Sequence, residues 1–142
     1  MINALERDTD IKPGDTIVEF SSGNTAIGLA AIAAKRGYKM LAYMVQATEE
    51  RRKLLEAYGA VVRDMTQDEG IVEVMSALPE NGNSAQALVD LFQKRSKEEG
   101  INYFLTVQAS NEANRDIQYH TTGQEILEDV EGIQSIILHN VI

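Results

Sequence analysis

Three times along this chain a helix-like run ends in a glycine that leads within a few residues into a β-run: at Gly37, Gly59 and Gly100. A glycine can hold the left-handed conformation that closes a helix and turns the chain back, so each marks a helix stop. The β-runs span 16–20, 38–45, 60–65 and 102–107, with helical patterns between them. Alternating strands and helices with short links imply parallel strands joined by right-handed crossovers. The expected fold is therefore α/β: a three-layer, open, mostly parallel four-stranded sheet with helices on both faces.

The helical segments can be placed from their own signals. A run from about Asn24 to Arg36 is apolar almost all round, and its small residues (Ala26, Gly28, Ala30, Ala31, Ala33, Ala34) suit close packing on a sheet. Thr48 can cap the next helix, where Glu49 stands four before Lys53 and Leu54, Leu55 and Tyr58 form the buried side. Asp68 to Leu78 carries Ile71, Val74, Met75 and Leu78 at helical spacing and is cut off by Pro79. After a turn at Glu80-Asn-Gly-Asn83, Asn83 with Gln86 resembles a capping pair, and Ala85, Leu88, Val89 and Phe92 trace one face. Thr122-Gly-Gln-Glu125 has the spacing of a capping box, predicting a helix that buries Ile126, Leu127 and Val130. Ser135 to Ile142 reads as a further strand, and Met1 to Asp10 as the last turns of a helix.

Between the first strand and the first long helix lies Ser21-Ser-Gly-Asn-Thr25. A strand that feeds a helix start points unpaired N–H groups and the positive end of the helix dipole at one spot, which suits an anion. Ser21, Ser22, Asn24 and Thr25 add side-chain donors, and Gly23 lets a ligand approach the backbone. Taken alone, such a tetrapeptide is more often an N-cap with a tight turn. Two nucleotide motifs fail here. Gly23 and Gly28 have P-loop spacing, but Leu29 and Ala30 stand where lysine and a hydroxyl residue are required, and a dinucleotide fingerprint needs three glycines.

Composition removes several other classes of function. With 22 acidic against 13 basic residues the net charge is −9, which argues against nucleic acid and anionic membrane surfaces as partners. The absence of cysteine excludes disulfides, thiolate nucleophiles and cysteine-based zinc sites. His120 and His139 have no second ligand at helical spacing, so no metal site is expected, and both are read as structural or exposed. Arg51 and Arg52 read as a solvated helix face. No run is long enough to span a membrane and the N-terminus has no signal pattern, so a cytoplasmic location is expected. A second polar stretch, Gln108 to Asn114, follows the fourth β-run, and ligands in open α/β sheets sit at that edge.

Several stretches in register resemble the cysteine synthase family, which includes O-acetylserine sulfhydrylases and cystathionine β-synthases. They are Lys12 to Ala30, Arg36-Gly-Tyr-Lys39, Glu50 to Ala60, Gln108-x-x-Asn-x-Ala-Asn114 and His120-Thr-Thr-Gly-x-Glu-Ile126. The resemblance covers nearly the whole chain, with a longer than usual segment around Met75 to Glu98. It implies the small domain of the tryptophan-synthase-β-like fold and β-replacement on an activated serine to make cysteine, with pyridoxal phosphate as the cofactor of the complete enzyme. It also implies roles for residues. Asn24 matches the asparagine that hydrogen-bonds the cofactor's phenolic oxygen. Ser21, Ser22, Gly23 and Thr25 match the loop that grips the α-carboxylate of the amino-acid substrate, and Gln108 matches the glutamine that completes the grip.

The departures from the family are as informative. None of Lys12, Lys35, Lys39, Lys53, Lys94 and Lys97 matches the Schiff-base lysine, whose equivalent lies upstream of Met1, and the phosphate-binding loop should follow Ile142. No catalytic residue is therefore expected within the chain, which alone should bind no cofactor and be inactive. The expected organisation is 1–12 as the end of a helix begun upstream, 13–131 as the small domain, and 132–142 as the start of a large-domain strand. Phe20 stands where the family often has proline or alanine, and Ala26 where it has glycine. The expected partners are a small amino-acid substrate and either a second copy or a large-domain partner, the latter because an uncovered apolar strand at 136–142 invites pairing. The alternative is a free-standing, non-catalytic binding module derived from the same fold.

Overall fold

The computed structural model describes residues 1–21, 23–45, 48–79, 82, 84–130 and 132, which form two units. One spans Ile2–Val107. The other begins at Gln108 and also takes Met1.

The first unit holds the sheet. Strands β1 (Thr16–Phe20), β2 (Lys39–Met44), β3 (Val61–Asp64) and β4 (Tyr103–Leu105) lie in the order β3-β2-β1-β4, and every neighbouring pair is parallel. Pairing is in register from Thr16↔Lys39 to Phe20↔Tyr43 on one side of β1 and from Thr16↔Tyr103 to Val18↔Leu105 on the other. β1 is thus paired on both sides over Thr16–Val18, and its first four residues are buried. Continuous burial is what a central parallel strand covered on both faces requires.

Helices α1 (Ile2–Asp8), α2 (Asn24–Arg36), α3 (Glu49–Ala57), α4 (Glu69–Ala77) and α5 (Ser84–Glu99) complete this unit. The sheet order explains their distribution. The steps β1→β2 and β2→β3 move one way across the sheet, while the step β3→β4 returns past the start. A constant crossover hand then puts α2 and α3 on one face and α4 and α5 on the other. The side chains agree: Val18, Leu41 and Tyr43 form a core with Ile71 of α4 and with Leu88 and Phe92 of α5. Alternation sends Ile17, Glu19, Met40 and Ala42 to the opposite face, beside the buried Ala26, Leu29, Ala30 and Ala33 of α2.

The helix ends follow the local chemistry. α2 runs from Asn24 to Arg36 as its sequence predicts, and Gly37, Gly59 and Gly100 all adopt positive φ, at 80°, 80° and 67°. Thr48 caps α3 by accepting the Arg51 N–H, and Lys53 reaches Glu49 at 3.4 Å. Asp68 caps α4 by accepting the Ile71 N–H. β1 has the bounds of its β-run, whereas β2, β3 and β4 are shorter than theirs. Asn83 and residues 133–142, including the expected terminal strand, lie outside the described residues.

The second unit contains a 3₁₀ turn at Gln108–Ser110, then α6 (Glu112–His120) and α7 (Thr122–Asp129), which pack on each other. The capping box expected at Thr122 is not formed. Thr121 occupies the N-cap position without a side-chain cap, and its hydroxyl donates to the Ile117 carbonyl of α6 at 2.7 Å. Leu127 and Val130, expected to be buried, are exposed, while Gly123 is buried. None of the helices in the described residues is long and apolar enough to cross a membrane.

Candidate functional site

The site begins where β1 ends. Ser21 leaves the strand with its N–H donating to the Tyr43 carbonyl of β2 at 3.2 Å, so the sheet ladder carries one residue beyond the strand proper. The Ser21 hydroxyl then accepts the Gly23 N–H at 3.3 Å. A hydroxyl that accepts this bond still has its own proton to give. Ser22 lies outside the described residues.

Gly23 is the N-cap of α2, in extended backbone (φ −116°, ψ −159°), and as a glycine it offers no capping side chain. The first N–H groups of a helix have no intrahelical partner, and here the N-cap residue has no side chain to cover them. Asn24 is exposed at the first helical position and Thr25 is half-buried beside it. A Cβ built on Gly23 meets no described atom within 4 Å. Among the described residues, packing therefore does not demand glycine here, and no described atom fills the space above it. The loop thus gathers neutral donors within a few residues at the end of β1: helix N–H groups, the Ser21 and Thr25 hydroxyls and the Asn24 carboxamide. Such a set suits an anionic oxygen, whether carboxylate or phenolate.

The two sequence departures resolve differently. Ala26 is fully buried on the side of α2 that faces the sheet. Phe20 turns to the other face and stacks on Tyr43, with ring centroids 5.2 Å apart and planes at 12°. Gln108, half-buried, is the first residue of the second unit, where its carbonyl accepts from the Asn114 side chain at 3.4 Å. Before it stands Val107, a β-branched residue at φ 42°, a conformation that costs such a residue about 1–3 kcal/mol.

Two polar clusters beneath the loop were not anticipated. Glu19 is buried in β1, where it accepts from the Thr106 hydroxyl and, at 3.0 Å, from the Phe20 N–H. Thr106 also donates its N–H to the Val18 carbonyl at 3.1 Å, so this pair ties the outlets of β1 and β4. On the opposite face Arg95 of α5 forks onto both carboxylate oxygens of Asp68, at 2.5 and 2.9 Å, and the Tyr43 hydroxyl donates to Asp68 at 2.7 Å. Arg95, then Tyr43 and the Ile71 N–H, hold the Asp68 carboxyl well below the usual carboxylate range against the opposing effect of burial. Burial first, and then Asp68, pushes the Tyr43 phenol up. Both clusters left a trace in the sequence. An acid inside an otherwise buried strand and an arginine three after Phe92 on an apolar helix face each require a partner.

A polar groove elsewhere is lined by Arg52, Val62, Arg63, Asp64, Gln67 and Asp68. It opens at β3, two strands from β1, and both signs of charge are present in it. His120 is exposed beside Tyr119, and among the described residues no three metal-ligating side chains cluster.

Comparison with known proteins bears on this loop and its scaffold. The family model described as "Pyridoxal-phosphate dependent enzyme" matches residues 1–140. The chain is 38% identical to a cysteine synthase of Staphylococcus aureus (strain Mu50) over 133 residues, covering 93% of this chain and 38% of that protein. It is 39% identical to cysteine synthase A of Escherichia coli (strain K12) over 142 residues, covering 99% of this chain and 40% of that protein. Among solved structures it resembles O-ureido-L-serine synthase, at a TM-score of 0.62 and 34% identity over 94% of this chain and 37% of that one. A hydrogen sulfide-producing enzyme of Fusobacterium nucleatum matches at a TM-score of 0.63 and 29% identity over 90% of this chain and 34% of that one. The chain spans about two fifths of the length of the curated relatives it matches. With the parallel sheet, the loop at its carboxyl edge and the match from end to end all in agreement, the chain belongs to the cysteine-synthase-like family of pyridoxal-phosphate dependent enzymes of fold type II.

Proposed function

We propose that the chain supplies the carboxylate-gripping part of an enzyme that performs β-replacement on an activated serine to make cysteine. The observation that carries this reading is the α2 N-terminus, whose N-cap glycine offers no capping side chain and over which no described atom lies within 4 Å of an added Cβ. A helix start left bare of its own capping group suits a ligand that serves as the cap. In this reading the Ser21 hydroxyl, Ser22, Gly23 and Thr25 surround the substrate's α-carboxylate, and family resemblance assigns the Gln108 carboxamide to the same group. The donors are neutral, so binding depends on their converging geometry, in a chain whose net charge of −9 does not attract anions from a distance.

The same donors bear on the cofactor. The exposed Asn24 carboxamide fits a phenolate oxygen, the part of pyridoxal phosphate that family resemblance assigns to it. When bound, that group supplies an electron sink for bond breaking at the substrate's α-carbon. The contribution of this chain is to orient the carboxylate and, by closing the loop, to exclude water from the reacting face. The Schiff-base lysine is assigned to none of the six lysines here, and the phosphate loop to none of the described glycines. The reading is thus of half a site, completed by a large-domain segment.

Amide NMR on the 142-residue chain tests this reading. O-acetyl-L-serine is expected to shift the signals of Ser21, Gly23, Asn24, Thr25 and Gln108, and Thr25→Val to weaken the effect. Mixed with pyridoxal phosphate, O-acetyl-L-serine and sulfide, the chain alone is expected to make no cysteine. Absence of shifts at the loop would overturn the carboxylate reading. A lysine-bound cofactor band that survives dialysis and disappears with borohydride would overturn the half-site reading. The alternative, a non-catalytic interaction module, draws support from Ile117 and Tyr119 of α6, which are 53% and 64% exposed. It predicts concentration-dependent self-association with no loop response to the amino acid.

A further inference from the structure

Phe20 is the last residue of β1 and directly precedes the Ser21 donor. Unlike proline, it does not fix its own φ, so the direction in which the chain enters the loop must be set by other contacts. The contacts are aromatic. Phe20 lies flat on Tyr43 and meets the edge of Phe92 at 6.0 Å and 78°, while Tyr43 and Phe92 meet each other at 5.9 Å and 73°. Each ring touches the other two, so the Phe20 ring cannot turn away without giving up both contacts.

The ring beneath it is itself immobilised. Tyr43 is 1% exposed, its hydroxyl donates to Asp68, and Asp68 is forked by Arg95, whose guanidinium carbon lies 5.0 Å from the Phe92 ring centroid. Its main chain meanwhile accepts the Ser21 N–H. One residue of β2 therefore holds the loop entrance twice, through its carbonyl at Ser21 and through its ring at Phe20. Any tilt of Phe20 would lengthen the Ser21 bond, since the two residues are adjacent in the chain.

We infer that Phe20 is a positioning residue for carboxylate recognition: its stack on Tyr43 fixes the end of β1, so that the donors of Ser21, Asn24 and Thr25 converge. This rests on the carboxylate reading of the loop and deepens it. Phe20 touches no substrate. It acts through the backbone of Ser21, and it requires an aromatic side chain where a merely space-filling role would accept any apolar one.

The test separates flatness from bulk. Phe20→Leu and Phe20→Met keep an apolar side chain and remove the stack, whereas Phe20→Tyr keeps the stack. On the 142-residue chain, amide hydrogen exchange at Ser21 and the dissociation constant of O-acetyl-L-serine, read from loop amide shifts, would be compared. Each aliphatic variant is expected to bind about fivefold more weakly and to exchange Ser21 about fivefold faster, with Phe20→Tyr restoring both, given the usual strength of one aromatic pair. The two aliphatic variants guard against one of them failing to fold. If the parent chain shows no loop shifts, the carboxylate reading falls and this inference with it. If the parent responds and an aliphatic variant binds as tightly as Phe20→Tyr, the inference alone is overturned.

Discussion

The Tyr43 ring lies parallel to that of Phe20, at 5.2 Å and 12°, while the Tyr43 carbonyl accepts the N–H of the next residue, Ser21. A loop that leaves a sheet is usually held by its backbone alone. Here its entrance is also held by a side chain from the adjacent strand, and that side chain is anchored to an ion pair on the helical layer behind it.

Removing only the phenol separates the two functions of Tyr43. Tyr43→Phe keeps the ring stack and the carbonyl, and loses the hydrogen bond to Asp68. The expected cost is about 1 kcal/mol, seen as a lower midpoint in urea unfolding, because Asp68 keeps Arg95 and the Ile71 N–H. Exchange at Ser21 should stay unchanged. Faster exchange there would show that the hydroxyl, not the ring, holds the loop.

Asp68 should make part of the stability depend on pH. Its folded carboxyl is held well below the ordinary value of about 3.9 that it recovers in the unfolded chain. A depressed carboxylate contributes fully above the unfolded value, and the contribution is lost as pH falls below that value toward the folded one. Asp68→Asn should therefore cost about 2 kcal/mol at pH 7, given a half-buried pair, and the gap to the parent should narrow below about pH 4. A gap of constant size from pH 7 to pH 3 would count against the ion pair.

Gly23 gives a prediction in which stability and binding part company. Its φ of −116° is open to any residue, and an added Cβ meets nothing described. Gly23→Ala should leave the unfolding free energy unchanged or raise it by about 0.5 kcal/mol, since alanine has less freedom to lose. The same methyl would stand over the helix N–H groups, so O-acetyl-L-serine should bind at least several-fold more weakly. Undiminished binding would mean that the ligand does not approach over Gly23.

Thr106→Val probes the tie between β1 and β4. It preserves shape and removes the hydroxyl that donates to the buried Glu19. Withdrawing a donor from a buried carboxylate should cost about 2 kcal/mol in chemical unfolding, and Thr106→Ser should recover most of it. Equal stability of the valine and serine variants would assign Thr106 to packing alone.

Some features were legible in the sequence because their causes are local. α2 has the bounds its sequence predicts, since a strand outlet at Phe20, a small-residue run and Gly37 lie within one stretch. Thr48 caps where expected for the same reason. α6 was missed because Glu112–His120 is mostly polar and has no apolar stripe to reveal its period, although Asn111 does cap it. The box at Thr122 did not form, and the neighbouring Thr121 hydroxyl donates to the helix directly upstream.

The sequence alone determined the kind of fold and the kind of loop. Helix stops, β-runs and the hydroxyl-rich turn each follow from interactions between residues a few positions apart, and these imply a parallel sheet with donors at its carboxyl edge. Only the tertiary structure decided what stands behind the loop. The pairing of Phe20 with Tyr43, of Asp68 with Arg95 and of Glu19 with Thr106 spans separations of 23, 27 and 87 residues. Such contacts depend on strand order and register, which bring together side chains that no local preference relates.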